Sequence, residues 1–381
     1  MLVKNETYIL ERKDFPTLLE ELGRRGYRTF GPTVRDQAIV YDELESVDDL
    51  PAGWTEEQDG GKYELRRRED DALFGYVIGP DSWKKYLHPP RQKVFSCAAV
   101  DGLITIDDPE PEEPPMAFLG MRSCERHAIA VQDGVFLDPG SADPAYARRR
   151  EQALFIAVNC TNASETCFCT SMNTGPKVDL PVDLNMTECL TPDHHRFTVR
   201  AGSNRGAEIL EAVPTRPATE AEVAEAERRI DEAAGEMGRT IETSDLKDLL
   251  YANLDNPHWE DVGARCLNCA NCTMVCPTCF CTTMEDVTDI TGKSAERTRR
   301  WDSCFTWDFS YMHGGSVRQS SKSRYRQWMT HKLATWQDQF DRLGCIGCGR
   351  CITWCPVGID LTKEVEAIRN SETVEEAHAD N

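Results

Sequence analysis

Two stretches of the chain share one cysteine spacing: CLNCANCTMVCP at residues 266–277 and CIGCGRCITWCP at residues 345–356. In each, three cysteines occupy every third position, a fourth follows four residues later, and a proline comes directly after it. A short loop with this spacing wraps three sulfur atoms around one point, and the helical turn that follows directs the fourth sulfur elsewhere. These stretches, the first and second cysteine runs, therefore predict two metal centres that exchange one ligand each.

The spacing is that of two-cluster ferredoxins, in which three thiolates hold one [4Fe-4S] cube and the fourth thiolate crosses to the other cube. We expect two [4Fe-4S] clusters with crossed ligands. The first set is Cys266, Cys269, Cys272 and Cys355, and the second set is Cys276, Cys345, Cys348 and Cys351. Cysteines separated by two residues also bind zinc. Two complete runs with both prolines favour iron–sulfur clusters over a zinc-stabilised scaffold.

Length, charge and cysteine content narrow the class of protein. The chain has 381 residues, 17 cysteines and a net charge of −22, so it is long enough for two or three domains. Its start, Met1–Glu6, becomes polar at once, which does not predict a secretory signal. Reduced thiols that hold iron explain the cysteines better than disulfides do, and they predict a cytoplasmic protein. The acidic charge disfavours nucleic-acid binding, and the sequence predicts no membrane span, which needs roughly 20 apolar residues.

Residues 1–215 read as an α/β domain. Leu18, Leu19 and Leu22 share one face of a helix that ends at Gly23–Gly26. Strands are expected at Ala38–Tyr41, Ala72–Ile78, Met116–Leu119 and Ala153–Val158. For Gly79–Leu87, which follows the second of these strands, we favour simple packing over a loop that meets a cofactor. Residues 107–115 are acidic and rich in proline and predict a surface loop.

Four further cysteines of this first half form a plausible third ligand set. Cys124 and Cys160 follow two of the predicted strands, and Cys167 and Cys169 lie in the segment Glu165–Thr170. Together they predict a third [4Fe-4S] cluster, with buried structural thiols as the alternative, because free cysteine also packs as a small apolar residue. Cys97 and Cys189 are isolated and are assigned structural roles.

The second half contains the cysteine runs. Residues 216–255 are predicted as a helical connector whose Ala- and Glu-rich segment 219–235 forms an exposed helix. Residues 256–368 are predicted as a mainly helical dicluster ferredoxin-like domain, and residues 369–381 as an acidic tail. The fold class is therefore α+β, with the α/β domain first. Between the runs, Arg318–Lys332 is basic and interleaved with aromatic residues, which suggests a stabiliser of anionic clusters or a docking face.

Three more thiols lie between the runs: Cys279, Cys281 and Cys304. They form an additional thiol site that could hold a further cluster, bind sulfur compounds or only pack. Of these, packing or tuning of the nearby clusters by S–H contacts is favoured.

The chain resembles a known family. Residues 266–281, Trp301–Cys304, His331–Lys332 and Cys345–Cys351 resemble the beta subunit of cytoplasmic NAD(P)-linked [NiFe] hydrogenases, the sulfhydrogenase beta subunit, and are similar to the corresponding iron–sulfur subunit of anaerobic sulfite reductase. The resemblance extends from about Gly79 to Leu361 and includes the third set. The chain departs from the family pattern at Ser123 and Glu125–Arg126, beside Cys124, and at Met172–Asn173, where Met-Gly is usual.

The resemblance implies an electron-transfer subunit of an oxidoreductase complex. Its partners would be a flavin subunit that handles NAD(P)H and the small and large subunits of a [NiFe] hydrogenase. No substrate active site is expected in this chain, which also has no G-x-G-x-x-G fingerprint and no P-loop. The alternative is the same relay in an anaerobic sulfite or polysulfide reductase. A different reading makes Cys279, Cys281 and Cys304 a catalytic site that reduces a sulfur compound.

Overall fold

A computed structural model describes residues 6–77, 79–100, 103–107 and 114–379, without the side chains of Val100 and 372–379. The strands are β1 (Thr7–Glu11), β2 (Arg28–Arg35), β3 (Ala38–Glu43), β4 (Trp54–Asp59), β5 (Lys62–Arg67), β6 (Arg91–Val100), β7 (Leu103–Asp107), β8 (Met116–Met121), β9 (Leu154–Val158), β10 (Leu184–Leu190), β11 (His195–Ala201), β12 (Arg216–Pro217), β13 (Thr282–Thr288), β14 (Ser294–Trp301), β15 (Tyr311–Met312) and β16 (Gly315–Ser316). Most of the predicted loop 107–115 lies outside the described residues.

Helices alternate with these strands in the first half and dominate the second. The α-helices are α1 (Pro16–Arg24), α2 (Lys84–Leu87), α3 (Ser123–Phe136), α4 (Pro144–Gln152), α5 (Asn204–Glu211), α6 (Glu220–Gly235), α7 (Leu246–Ala252), α8 (His258–Arg265), α9 (Asn271–Met274), α10 (Ser321–Thr330), α11 (Trp336–Phe340), α12 (Arg350–Thr353) and α13 (Leu361–Ala379). A π-helical turn, His331–Thr335, joins α10 to α11. Short 3₁₀ turns lie at Arg12–Asp14 and Val47–Asp49.

The first half is built on one mixed sheet with the strand order β12-β1-β11-β10-β9-β8-β2-β3. Its centre, β2, β8, β9 and β10, is parallel, and its outer strands pair antiparallel. The central strands β8 and β9 are buried along their whole length, which is the pattern of parallel strands covered on both faces. The helix and strands predicted at α1, β3, β8 and β9 are therefore confirmed.

Alternate residues of the central strands face two separate cores. Leu119 and Ile156 point into one core, which α1 and α5 cover. Phe118 and Phe155 point into the other, which includes residues of α2, α3 and α4. Because successive side chains of a strand point to opposite faces, one sheet organises both cores.

The strand predicted at Ala72–Ile78 is wrong for the residues described, 72–77, which form an irregular buried segment. Its backbone groups are bonded by side chains instead of a neighbouring strand. Leu73 N and Phe74 N donate to the Glu188 carboxylate at 2.7 and 2.8 Å, and the Phe74 carbonyl accepts from Arg122 Nη2 at 2.8 Å. Buried backbone groups must be paired, and here long-range side chains pair them. Ile78 lies outside the described residues.

Helix α6 begins, as predicted, after Thr219, whose side chain accepts a hydrogen bond from Glu222 N. It does not form an exposed connector. Ala226, Ile230 and Ala233 are buried, the helix packs on β10 and β11, and Glu222 pairs with Arg196 of β11 at 2.6 Å. Sequence composition predicted the helix but not its packing, because small alanines bury a face without a strong apolar pattern.

The second half has its own apolar core, formed by α7, α8, α10 and α13 around Trp259, Trp328 and Leu361. It is less purely helical than predicted. The hairpin β13–β14 lies between the two cysteine runs in sequence, and β14 pairs antiparallel with β6 of the first half. The four-stranded sheet β13-β14-β6-β7 thus joins the two halves of the chain.

Among the residues described, no helix combines the length and the apolar character needed to cross a membrane.

Candidate metal centres

The first ligand set converges on one site. Its cysteines, Cys266, Cys269, Cys272 and Cys355, all line a single cavity. Cys269 is exposed, and the neighbouring Leu267 is 62% exposed. This set therefore lies at the surface of the protein. Four thiols around one cavity are a donor set that suits a [4Fe-4S] cluster.

The two cysteine runs adopt the same local structure. In the first run Asn268 and Ala270 have positive φ angles of 53° and 66°, and in the second run Gly347 and Gly349 have φ angles of 67° and 73°. These residues stand two and four positions after the first cysteine of each run, and a short helix follows, α9 or α12. The left-handed turns curl the chain around a central point, as the spacing predicts for a cluster-binding loop.

Backbone N–H groups point at the leading sulfur of each run. Asn268 N donates to Cys266 Sγ, and Gly347 N donates to Cys345 Sγ, both at 3.5 Å. Such N–H···S contacts stabilise negative charge on sulfur and are one means by which a protein tunes cluster potentials.

The second set brings Cys276 of the first run to three cysteines of the second run. Cys276 interacts electrostatically with Cys345, Cys348 and Cys351, which agrees with the crossed ligand of the prediction. Burial raises the pKa of the Cys345 thiol to about 12. Because iron binds thiolates, binding displaces these protons.

A buried ammonium group lies against the second set. Lys332 Nζ, in the π-helical turn, donates to Cys276 Sγ at 3.1 Å and to Thr278 Oγ1 at 3.0 Å. Burial opposes the charge of Lys332, but the Cys276 and Cys279 sulfurs outweigh it and hold the pKa of Lys332 well above its usual value. π-Turns often mark functional sites, and this one turns a lysine of the predicted basic stretch towards the thiols.

The four cysteines of the third set also line one cavity: Cys124, Cys160, Cys167 and Cys169. Cys124 follows β8 and Cys160 follows β9. Since these strands are parallel neighbours, their carboxyl ends meet at one edge of the sheet. Burial raises the pKa of Cys124 well above its usual value and that of Cys167 to about 12. A largely buried group of thiols suits a metal cluster better than a solvated catalytic thiol.

The departures from the family pattern around this set have structural explanations. Asn173 has a φ of 53°, and asparagine is among the few residues other than glycine that adopt this conformation readily. Glu125, one residue after Cys124, is 1% exposed and accepts a hydrogen bond from Arg350 Nη2 at 2.6 Å. Neither departure removes a thiol from the set.

The third set lies directly against the second cysteine run. Phe168 N donates to the Gly347 carbonyl at 2.9 Å, and Cys348 lines the cavity of the third set. A Cβ atom on Gly347 would lie 2.5 Å from the Phe168 carbonyl oxygen, and one on Gly349 would lie 2.3 Å from that of Thr166. These glycines allow the two loops to touch, which the run spacing alone does not require.

A buried ion pair joins the halves between the second and third sets. Arg350 donates to Glu125, to the Gly79 carbonyl at 3.0 Å and to the Asp81 carbonyl at 2.7 Å. Its neighbour Cys348 belongs to the second set, and Cys124 beside Glu125 belongs to the third. Sequence reasoning noticed both residues but did not assign them a role, because charged residues 225 positions apart carry no pairing signal.

Gly79–Leu87 packs beside the thiol sites. Lys84 is 4% exposed, and its Nζ donates to the Cys276 carbonyl at 3.0 Å. Trp83 Nε1 donates to Glu125 at 3.1 Å. These contacts agree with the preference for packing, and a contact of this segment with a cofactor stays a prediction. A buried lysine inside an aromatic-rich segment was the available signal.

The remaining thiols between the runs adjoin the second set. The Cys279 thiol forms a hydrogen bond with Cys276 that holds the pKa of Cys276 well below its usual range. Cys281 and Cys304 are hydrogen-bonded to each other. All three additional cysteines are thus close to a predicted cluster ligand or to one another.

Comparison with known proteins agrees with this geometry. Residues 265–359 match the family model described as a 4Fe-4S dicluster domain. The whole chain is 28% identical, over 373 residues, to the sulfhydrogenase 2 subunit beta of Pyrococcus furiosus, an alignment that covers 94% of this chain and 97% of the relative. The chain resembles a sulfhydrogenase beta subunit. No solved structure matches it.

This resemblance confirms the one drawn from the cysteine motifs. The chain is an iron–sulfur protein with an electron-transfer role, and it binds more than one [4Fe-4S] cluster. Its architecture is mixed α and β, with the dicluster domain towards the C-terminus.

Proposed function

We propose that the chain is the electron-transfer subunit of a [NiFe] hydrogenase complex and relays single electrons through three [4Fe-4S] clusters. The order of the thiol sets is the observation that carries this proposal. The second set contributes a lining residue to each neighbouring cavity, Cys348 to that of the third set and Cys351 to that of the first. The third, second and first sets therefore follow one another as a relay requires.

The proposed partners are a flavin subunit that handles NAD(P)H and the small and large subunits of the hydrogenase. The related chain is named as a subunit of a sulfhydrogenase, which supports a hydrogenase over an anaerobic sulfite or polysulfide reductase. Electron exchange with substrates is assigned to these partners, and no substrate active site to this chain. Reduced thiols that hold iron support a cytoplasmic complex.

The first set is the end of the relay best placed to meet a partner. Its Cys269 is exposed, and the nearby Leu267 and Val357 are 62% and 43% exposed. In contrast, Cys124, Cys167 and Cys169 of the third set are buried. Exposed apolar side chains around a redox site suit a small, transient electron-transfer interface.

The chain itself sets the conditions for electron transfer. A [4Fe-4S] cluster supplies one-electron oxidation and reduction. Lys332 places a buried positive charge against the second set, and Arg350 places another between the second and third sets. Because reduction adds negative charge, these cations favour the reduced state and raise the reduction potential of the nearby clusters.

The third cluster is tested by counting clusters on the anaerobically purified full chain. Native mass spectrometry shows whole clusters as discrete mass steps, and EPR of the reduced protein follows their spins. Cys160→Ser is expected to remove one cluster, whereas Cys97→Ser, a thiol in β6 outside all sets, removes none. An unchanged cluster count in Cys160→Ser would make the third set structural and confine the relay to the cysteine runs.

The partner assignment is tested by activity of the native complex. The tagged chain, purified anaerobically from its own host, is expected to bring with it H₂-dependent reduction of NAD(P). Reduction of sulfite or polysulfide without hydrogenase activity would transfer the same relay to the alternative complex.

A further inference from the structure

A pentapeptide occurs twice in the chain, and one copy lies in the third ligand set. The sequence Thr-Cys-Phe-Cys-Thr stands at residues 166–170 and again at residues 278–282. The first copy supplies Cys167 and Cys169 to the cavity of the third set. The second copy supplies Cys279 and Cys281, two thiols that the three-cluster relay does not use.

Both copies are attached to the second cysteine run by their first threonine. Thr166 Oγ1 is hydrogen-bonded to Thr353 Oγ1 at 2.9 Å, and Thr278 Oγ1 donates to the Gly344 carbonyl at 2.7 Å. Both threonines are buried, at 1% and 3% exposed. The two Cys-Phe-Cys loops therefore adjoin the second run at different points, one at Thr353, between its third and fourth cysteines, and one at Gly344, directly before its first cysteine.

The hairpin β13–β14 brings a third thiol to the second copy. It begins directly after Cys281 and ends three residues before Cys304, and its register pairs Thr282 with Trp301. Asp302 N donates to the Cys281 carbonyl at 2.8 Å, and the Cys281 and Cys304 sulfurs are hydrogen-bonded to each other. The hairpin thus closes its two ends around a group of three thiols.

Two buried cations face this group. Lys84 and Lys332 are 4% and 5% exposed, and both interact electrostatically with Cys279. Lys332 also donates to Cys276 of the second set, whereas Lys84 donates to the backbone carbonyls of Met274 and Cys276 and lies over the Trp301 ring, 3.8 Å from its centroid. Buried charges require a counter-charge. A second anionic group beside the second cluster would supply it for Lys84.

We propose that Cys279, Cys281 and Cys304 hold a fourth [4Fe-4S] cluster. Three of its irons are bound by these thiolates, and the fourth iron takes a ligand other than cysteine, because the neighbouring Cys276 serves the second cluster. The fourth cluster lies beside the second one, across the Cys276–Cys279 contact. The fourth cluster extends the proposed relay by one electron carrier. Its role as a carrier rests on the proposed function, but the existence of the site does not.

The test counts clusters on the full chain purified anaerobically and reconstituted with iron and sulfide. Native mass spectrometry is expected to show four [4Fe-4S] clusters in the wild type and three in each of Cys281→Ser and Cys304→Ser. Cys97→Ser, the matched control, retains four. Far-UV circular dichroism and retention of the other three clusters show that the variants fold.

Three clusters in the wild type and in both variants would overturn the proposal, as would a single zinc atom in place of a cluster. The outcome is separable from that of the relay. If Cys160→Ser keeps all clusters while Cys304→Ser loses one, the third site fails and the fourth stands. The reverse result overturns the fourth site alone.

Discussion

Replacing Glu125 by glutamine tests whether the buried ion pair joins the two halves of the chain. One carboxylate oxygen accepts from Arg350 Nη2 at 2.6 Å, and the other accepts from Tyr41 Oη at 2.6 Å and Trp83 Nε1 at 3.1 Å. The Glu125 and Arg350 side chains are each 1% exposed. A glutamine can satisfy only one side of this arrangement. Its amide then faces Arg350, donor against donor, and leaves the guanidinium buried without a counter-charge.

The burial of this pair sets the expected loss of stability in Glu125→Gln. Removing one partner of a buried ion pair costs about 3–5 kcal/mol, most of it from the stranded charge. At about 1.4 kcal/mol per factor of ten, local opening becomes roughly a hundredfold to a few thousandfold more frequent. Glu43→Gln is the matched control. Its partner Arg28 and Glu43 itself are each 43% exposed, so the loss should stay below about 1 kcal/mol.

Native-state hydrogen exchange measures this opening without global unfolding. Peptides that contain residues 73–77 and 346–352 should lose about two to three orders of magnitude of protection in Glu125→Gln and remain unchanged in Glu43→Gln. The double variant Glu125→Gln/Arg350→Gln has no stranded charge, so these peptides should lose less protection in it than in Glu125→Gln. If Glu125→Gln lowers the free energy of local opening by less than about 1 kcal/mol, as the control does, the buried pair does not link the two halves.

The remaining predictions concern a glycine of the second cysteine run, the N-cap of α6 and the pH dependence of stability. Gly347→Ala places a Cβ 2.5 Å from the Phe168 carbonyl oxygen at a φ of 67°. Native mass spectrometry of this variant should show partial loss of clusters. The control Gly235→Ala has open space around the new Cβ and should lose no cluster. Thr219→Ala removes the N-cap of α6 and should lower the free energy of unfolding in urea by about 1 kcal/mol. Thr219→Ser keeps a capping hydroxyl and should retain most of that free energy. Burial raises the pKa of Glu56 to about 8. The folded state then keeps a proton that the unfolded chain releases above its ordinary pKa, so this group's stabilisation is complete below about pH 4 and is lost as the pH rises through 8. Glu56→Gln should flatten that dependence in thermal melts between pH 6 and pH 9, and an unchanged slope would contradict the raised pKa.

The candidate sites were predictable from sequence where their ligands are set by local spacing. The two runs place cysteines at every third position, and each folds into the same left-handed loop followed by a short helix. Cys124 and Cys160 could be paired because each follows an apolar strand, and parallel neighbours end at one edge. In both cases the relevant geometry is encoded within a few residues.

Other features required the folded chain. Residues 72–77 are apolar enough to predict a strand, but the Glu188 and Arg122 side chains bond their backbone instead. The hairpin β13–β14 pairs with β6, a strand almost 200 residues away, and the pairing of its own two strands brings Cys304 to Cys281. Pairings of this length leave no periodic pattern in the sequence.

The sequence by itself thus predicted the candidate cluster ligands and their grouping, because sulfur spacing and loop conformation are local properties. Tertiary structure decided how the groups are arranged and what surrounds them. Lys84 reaches the Cys276 carbonyl, and Arg350 reaches Glu125 and the Gly79 carbonyl, across the two halves of the chain. Buried charges are placed by the need for distant partners, and only the packing of one half against the other shows which partners those are.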